Sequence, residues 1–174
     1  MVKKSGFDPE VIVGVARGGW IPARLMSDFL NKTDLASVGV RFYLEVSKSE
    51  KRPEINQEIQ IDVAGKSVLV VDDVADTGES MLVLRQYLLD KKVSELRIAT
   101  IYRKPWSRFA PDYYSRETIA WVIFPWEIFE VVRDVTTKCR REERSVSEMK
   151  RELLKVGVEE AILERCFGEA VEVA

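Results

Sequence analysis

Val68-Leu69-Val70-Val71-Asp72-Asp73-Val74-Ala75-Asp76-Thr77-Gly78-Glu79-Ser80 is the stretch that decides how this chain folds. Its opening residues are apolar without interruption, the pattern of a strand buried on both faces. The strand starts near Lys66 and delivers two adjacent acids, Asp72 and Asp73, to its carboxyl end. A tight turn of small and hydroxyl residues follows. Glu79 to Leu89 then reads as a helix, with Leu82, Leu84, Leu88 and Leu89 toward its buried side. In open α/β sheets, ligands bind at this edge. The turn's backbone N–H groups, beside a helix N-terminus, favour a phosphate. Thr77 and Ser80 can add hydroxyl donors, and Gly78 permits close backbone approach. Asp72 and Asp73 would lie beyond the phosphate, where sugar hydroxyls or a hydrated Mg²⁺ would be. The plainer alternative is a strand-turn-helix whose acids only cap the helix. Three acids around a Thr-Gly turn repel one another, however, and a cation-bearing ligand would relieve that.

Working outward, Val11 to Ala16 is a second uninterrupted β-branched run and predicts another buried strand, broken by Arg17-Gly18-Gly19. Trp20 to Leu30 carries Ile21, Leu25, Met26 and Phe29 at helical spacing, with Pro22 tolerated in the first turn. Ala36 to Tyr43 and Leu96 to Tyr102 read as further strands, and Trp121 to Phe124 as a last short one, stopped by Pro125. Leu44 to Gln60 is polar and charged and holds Pro53. It reads as a long loop, either an ordinary surface loop or a flap over a site. Strands alternating with helices predict an α/β fold: a mostly parallel twisted sheet flanked by helices. From about Val131 the composition changes. The charge-dense run Lys138 to Arg144 precedes two expected helices, Glu148–Val156 and Val158–Phe167, parted by Gly157, and Ser145 and Glu148 have capping-box spacing. The expected division is a core over 1–130 and a helical appendage over 131–174, serving as hood, cap or dimer contact.

Composition narrows the chemistry. A chain of 174 residues is one domain's worth with a short appendage, long enough to bury a core without disulfides or a structural metal. It contains no histidine, which excludes His-dependent triads, His metal sites and His general bases. Its cysteines, Cys139 and Cys166, are far apart, which fits a reducing, cytoplasmic compartment better than a disulfide framework or zinc site. Lys and Arg number 27 against 29 Asp and Glu, a net charge of −2 that argues against a sequence-independent nucleic-acid binder. No apolar run approaches the roughly 18 residues that span a bilayer. The lysines of Met1 to Gly6 are followed by no apolar segment, so no signal peptide is expected. Few amides beside abundant Lys and Glu hint at a thermophilic source.

The stretch from Val68 to Ser80 resembles the phosphoribosyl-pyrophosphate signature of the type I phosphoribosyltransferases: a hydrophobic strand, two acids, two residues, Asp-Thr-Gly, any residue, then Ser or Thr. The match is complete, and the resemblance spans about residues 10 to 127. It implies the type I phosphoribosyltransferase fold and assigns phosphoribosyl-pyrophosphate binding to Asp72, Asp73, Asp76, Thr77, Gly78, Glu79 and Ser80. Arg17-Gly18-Gly19, read alone, is better explained as a plain strand-to-helix turn. Beside a complete signature it looks like the family's pyrophosphate loop, Ala16 to Gly19, with Arg17 neutralising the leaving group and a non-proline cis peptide at Ala16-Arg17.

Lys104, just after the fourth strand, followed at an interval by Trp121-Val122, is similar to the 6-oxopurine branch of the family, with an archaeal-like cast. That likeness implies that Lys104 donates to the purine O6, Trp121 stacks on the ring and Val122 meets the base edge through its backbone. Without it, Lys104 could be a surface lysine and Trp121 a core residue. Glu127 falls where the family often carries an acid near the metal, so the implied metal-side residues are Asp72, Asp73 and Glu127, with Mg²⁺ as cofactor. Asp76 would accept the N7 proton or hold the base in register. The implied reaction is Mg²⁺-dependent transfer of a phosphoribosyl group to hypoxanthine, guanine or xanthine by a homodimer or homotetramer.

Other readings stay open. One is a phosphoribosyl-pyrophosphate-sensing transcriptional regulator on the same fold; another is a pyrimidine or adenine transferase. An ammonium at Lys104 would repel a 6-amino group, which disfavours adenine. The tail's acidic end (Glu159, Glu160, Glu164, Glu169, Glu172) disfavours a DNA-reading helix. Relatives commonly carry a helix ahead of the first core strand, whereas only ten residues precede Val11, so a truncated or re-assigned N-terminus is expected.

Overall fold

The computed structural model of the chain describes residues 1–44 and 51–165. The chain divides into two compact units, Met1–Ala120 and Trp121–Ala174. The division lies ahead of Val131, where the composition changes.

The first unit runs α1 (Val2–Ser5), β1 (Val11–Ala16), α2 (Trp20–Leu30), β2 (Leu35–Leu44), β3 (Lys51–Gln57), β4 (Ser67–Ala75), α3 (Glu79–Asp90), β5 (Glu95–Arg103) and β6 (Tyr113–Glu117). The strands form one six-stranded sheet in the order β3-β2-β1-β4-β5-β6. Every pairing is parallel except β2 with β3.

The uninterrupted apolar runs have a direct explanation. Val11, Val13 and Val15 of β1 and Val68 and Val70 of β4 face one side, where they pack with Met81, Leu84 and Leu88 of α3. Ile12, Leu69 and Val71 face the other, where they meet Ala23 of α2 and Val2 of α1. Because side chains alternate across a strand, a sheet covered on both faces needs apolar residues at every position. The short N-terminal stretch takes part as well. Val2 is buried, and the Ser5 hydroxyl lies 2.8 Å from that of Tyr113.

The strand order reverses at the centre. From β1 the chain proceeds outward to β2 and β3, and from β4 outward to β5 and β6. In such sheets the loops leaving the two central strands diverge and leave a crevice at the carboxyl edge. Register sets the depth of those ends: Gly14 of β1 lies beside Val71 of β4, so the residues after Ala16 and the acids after Val71 emerge together.

The sheet differs from expectation at both edges. The expected loop from Leu44 to Gln60 holds β3, which pairs antiparallel with β2 from Gly39↔Gln57 to Leu44↔Lys51. Its outer face is solvated, so Arg52, Glu54 and Asn56 are exposed while Pro53 and Ile55 are half-buried. Proline is tolerated on an edge strand, where one row of N–H groups has no ladder to join. Residues 45–50, the tip of the expected flap, lie outside the described residues. At the other edge, Trp121 to Phe124 is not a strand. The sixth strand is Tyr113-Tyr114-Ser115-Arg116-Glu117, in register with β5 from Ala99↔Tyr113 to Arg103↔Glu117. Its polar residues gave no apolar signal, and backbone pairing defines it.

The second unit opens with Phe124 and Trp126, whose rings stack 4.8 Å apart and 9° from parallel. Two helices follow, α4 (Ile128–Arg141) and α5 (Val146–Lys155), with a further helical stretch over 160–165. Val131, Val132, Leu153, Val158 and Leu163 form this unit's own apolar cluster. The first part of the charge-dense run, Lys138 to Arg141, is the end of α4. Lys138, Arg140 and Arg141 sit in its last turn, where cations complement the helix dipole. The expected capping box is present. The Glu148 N–H donates to Ser145 Oγ at 3.3 Å, and the Ser145 N–H donates to Glu148 Oε2 at 2.9 Å. That backbone donor, aided by the serine hydroxyl, holds the Glu148 carboxyl below the usual carboxylate range. Gly157, at φ 90°, follows α5 in the left-handed conformation that ends helices. The expected helix to Phe167 is described only as far as residue 165.

Candidate active site

The carboxyl edge of β1 and β4 gathers most of the residues singled out above. The loop after β1 turns through a cis Ala16-Arg17 peptide, as the resemblance implied. The two loops then press together so closely that side chains are excluded between them. A Cβ on Gly18 would lie 2.0 Å from Asp73 Oδ2, and one on Gly19 would lie 2.4 Å from the Val71 carbonyl oxygen. At Gly19 the neighbour is backbone, so glycine is a packing requirement there, whereas a side chain at position 18 would have to displace the Asp73 carboxylate. Arg17 stands exposed on the same turn.

Asp72 and Asp73 are half-buried at the end of β4. Each carboxylate accepts the N–H of the next residue: Asp73 N–H to Asp72 Oδ1 at 2.9 Å, and Val74 N–H to Asp73 Oδ1 at 2.6 Å. Asp76 and Thr77 are exposed on the turn beyond. Gly78 is the N-cap of α3 at φ 82° and has no side chain with which to cap it. The opening N–H groups of a helix lack intrahelical partners, so this end can receive an anion. Thr77 Oγ1 accepts the Glu79 N–H at 3.3 Å, and Ser80 is half-buried in the first turn.

A third loop, after β5, clasps the turn from the side. The Arg108 N–H donates to the Thr77 carbonyl at 2.9 Å, and the Arg108 guanidinium lies 3.5 Å from Glu79. A Cβ on Gly78 would lie 2.6 Å from the Phe109 nitrogen and 2.7 Å from Ser107 Oγ. Gly78 thus answers two demands, a left-handed φ and a backbone approach with no room for a side chain.

Lys104 begins this loop and is buried, only 6 % exposed. Its N–H donates to the Ala75 carbonyl at 3.0 Å, and its ammonium donates to the Ala120 carbonyl. Burying an ammonium is costly unless it is hydrogen-bonded, and here a backbone oxygen and an aromatic face share the task. The Trp106 ring centroid lies 5.5 Å from Lys104 Nζ. The Trp106 indole N–H donates to Asp76 Oδ1 at 2.9 Å. One loop therefore links Lys104 to Asp76. Trp106 belongs to no motif in the sequence. Its partner is 30 positions earlier, and only the parallel pairing of β4 with β5 brings the two ends together.

Trp121, Val122 and Glu127 belong to the second unit. Trp121 is exposed, Val122 and Glu127 are half-buried, and Glu127 is the N-cap of α4. The Glu127 N–H donates to the Phe124 carbonyl at 2.9 Å, closing the turn that begins at Pro125.

Comparison with known proteins agrees with this architecture. Residues 2–138 match the phosphoribosyl transferase domain family. A xanthine-guanine phosphoribosyltransferase of Gluconobacter oxydans is 31 % identical over 118 residues, 67 % of each chain. That of Chromohalobacter salexigens is 32 % identical over 123 residues, 70 % of each chain. The crystal structure of a purine phosphoribosyltransferase from Pyrococcus horikoshii superposes with a TM-score of 0.65 at 40 % identity, covering 71 % of this chain and 80 % of that one. A Helicobacter pylori xanthine-guanine-hypoxanthine phosphoribosyltransferase, at 21 % identity and a TM-score of 0.61 over 78 % of this chain and 86 % of its own, shares the fold. With its central strands, its Asp-Thr-Gly turn and this match over most of its length, the chain belongs to the phosphoribosyltransferase family and has the type I fold.

Proposed function

We propose that this phosphoribosyltransferase transfers the phosphoribosyl group of phosphoribosyl pyrophosphate to a 6-oxopurine: hypoxanthine, guanine or xanthine. The observation that carries the reading is the loop joining buried Lys104 to Asp76, at the edge where the Asp-Thr-Gly turn opens α3. An ammonium held by backbone and ring keeps its charge in place for a purine carbonyl oxygen. Asp76, exposed beside it, can take the N7 proton or hold the base in register. In the reaction the bond from ribose C1 to the diphosphate breaks and a bond from the base nitrogen forms. The turn from Thr77 to Ser80 would grip the 5-phosphate through its N–H groups and hydroxyls. Arg17 would neutralise the departing diphosphate.

The donor set fits Mg²⁺. Among the described residues no group of three or more His, Cys, Asp or Glu is placed to hold a metal ion. Mg²⁺ commonly binds through one or two carboxylates together with substrate phosphates and water. Asp72 and Asp73 are adjacent, half-buried acids beside the diphosphate loop and would be its protein-side partners. When bound, Mg²⁺ supplies charge neutralisation at the leaving diphosphate. For Trp121, Val122 and Glu127 the proposed roles are those of the resemblance: ring stacking, backbone contact with the base, and an acid on the metal side. The proposal includes a cytoplasmic homodimer or homotetramer, which rests on the family resemblance. No helix among the described residues is long and apolar enough to cross a membrane.

Pyrophosphate release tests the reading. Release should require both phosphoribosyl pyrophosphate and a 6-oxopurine, stop on chelation and return with Mg²⁺. Failure with all three 6-oxopurines would overturn it. Gly78→Val tests the phosphate turn separately. The variant meets a left-handed φ and the Phe109 backbone at once, so the turn must open. We expect phosphoribosyl-pyrophosphate affinity to fall by more than about tenfold, from loss of a charge-assisted hydrogen bond or more. Calorimetric titration reads this directly, and unchanged affinity would remove the turn from substrate binding.

A further inference from the structure

In the proposed function Trp106 serves only as the aromatic face that helps hold Lys104, and its hydrogen bond to Asp76 is given no catalytic consequence. It is 53 % exposed, so it is not a core residue. Its indole N–H nevertheless ends on Asp76 Oδ1 at 2.9 Å, while its ring stands 5.5 Å from the Lys104 ammonium. A large exposed aromatic on a loop ordinarily has many orientations. This one is fixed at both ends, by an acceptor at its edge and a cation at its face. The loop itself is rigidly held: Lys104 N–H to Ala75, Ser107 N–H to the Lys104 carbonyl at 3.0 Å, Ser107 Oγ to the Phe109 carbonyl at 2.9 Å, and Arg108 N–H to Thr77.

We infer that Trp106 is a positioning residue for phosphoribosyl transfer: its indole N–H fixes the Asp76 carboxylate so that the second oxygen is presented to the base. The inference rests on the reading of Asp76 as the residue that meets the purine. A carboxylate on an exposed turn can rotate about its Cα–Cβ and Cβ–Cγ bonds, and only some orientations reach a base proton. Tying Oδ1 to a ring that also rests against the Lys104 ammonium selects among them before substrate arrives. The same ring faces the Lys104 ammonium, so the two base-reading groups are set relative to one another by one side chain.

The test separates the N–H donor from the ring. Trp106→Phe keeps an aromatic face toward Lys104 and removes the donor. Trp106→Gln removes the ring and places an amide N–H the same number of bonds from Cα as the indole nitrogen. Steady-state kinetics with phosphoribosyl pyrophosphate and the best 6-oxopurine should show kcat lowered about tenfold in Trp106→Phe, the loss expected for one hydrogen bond to a charged group. KM for phosphoribosyl pyrophosphate should stay within about twofold, because the phosphate turn is untouched. Trp106→Gln should recover most of the lost kcat. A purely structural role predicts the opposite pattern, with Gln no better than Phe, and that result would overturn the inference, as would full activity in Trp106→Phe. Thermal melting of both variants accompanies the kinetics. If the wild-type chain turned over no 6-oxopurine, the underlying reading of Asp76 would fall and this inference with it. If the wild type is active and Trp106→Phe equals it, only the inference falls.

Discussion

Asp76→Asn lowers turnover by about 10²- to 10⁴-fold, the range contributed by a positioned general acid or base, and leaves phosphoribosyl pyrophosphate bound. The two effects part because they belong to different atoms. In the proposed site the phosphate would be held by the backbone and hydroxyls of Thr77 to Ser80, which an isosteric amide at position 76 does not disturb. Asn also keeps an oxygen to accept the Trp106 N–H, so the loop after β5 retains its anchor. What is lost is a carboxylate able to receive a proton or carry charge beside the base. Rapid-mixing kinetics with hypoxanthine would measure the chemical step, and calorimetry would measure binding. Unchanged turnover would remove Asp76 from the chemistry and leave it a structural acceptor for Trp106.

Lys104→Met weakens the use of 6-oxopurines by about 10- to 100-fold in kcat/KM, the scale of one charge-assisted hydrogen bond, with little change in phosphoribosyl-pyrophosphate affinity. Methionine is the better substitute because Lys104 is buried, and Met fills its volume where Ala would leave a cavity. The variant loses the ammonium that donates to the Ala120 carbonyl, so a lower melting temperature should accompany the kinetic loss. Adenine supplies the control: it has an amino group where the oxopurines have a carbonyl. The account expects the gap between hypoxanthine and adenine to shrink. A loss equal for both bases would show that Lys104 supports the loop and does not read O6.

Both expectations draw on residues that the sequence exposed, and particular cases show why it exposed them. The two-faced core strands were legible because burial on both sides forces apolar residues at every position, as in Val11 to Ala16 and Val68 to Val71. The Asp72–Ser80 turn stood out because the phosphate, sugar and cation of the proposed substrate would each demand a residue type at a fixed place. The edge strands did not. In β3 and β6 Ile55 and Tyr113 pack against the core, but the neighbouring Arg52, Glu54, Arg116 and Glu117 face solvent and the backbone ladder defines the strands. Apolar pattern carries no information there. Trp121 to Phe124 misled for the converse reason. Its aromatic and β-branched residues read as a strand, yet Phe124 is spent on stacking with Trp126 and not on a ladder. Trp106 was invisible as a site residue because a hydrogen bond across 30 positions depends on strand register, which no local motif records. The end of α4 was hidden by its charge: Lys138 to Arg141 read only as part of a charge-dense run and is a helix terminus carrying complementary cations.

The most direct measurement of the central claim is product formation by the wild-type chain. Phosphoribosyl pyrophosphate and Mg²⁺ would be supplied with hypoxanthine, guanine, xanthine, adenine or uracil in turn, at moderate and at high temperature, and the nucleoside monophosphate identified by mass. At least one 6-oxopurine should give product, and adenine and uracil far less. Tight phosphoribosyl-pyrophosphate binding with no product from any base would contradict that claim and point to a sensor built on this fold. Preferential product from adenine or uracil would contradict the role given to Lys104.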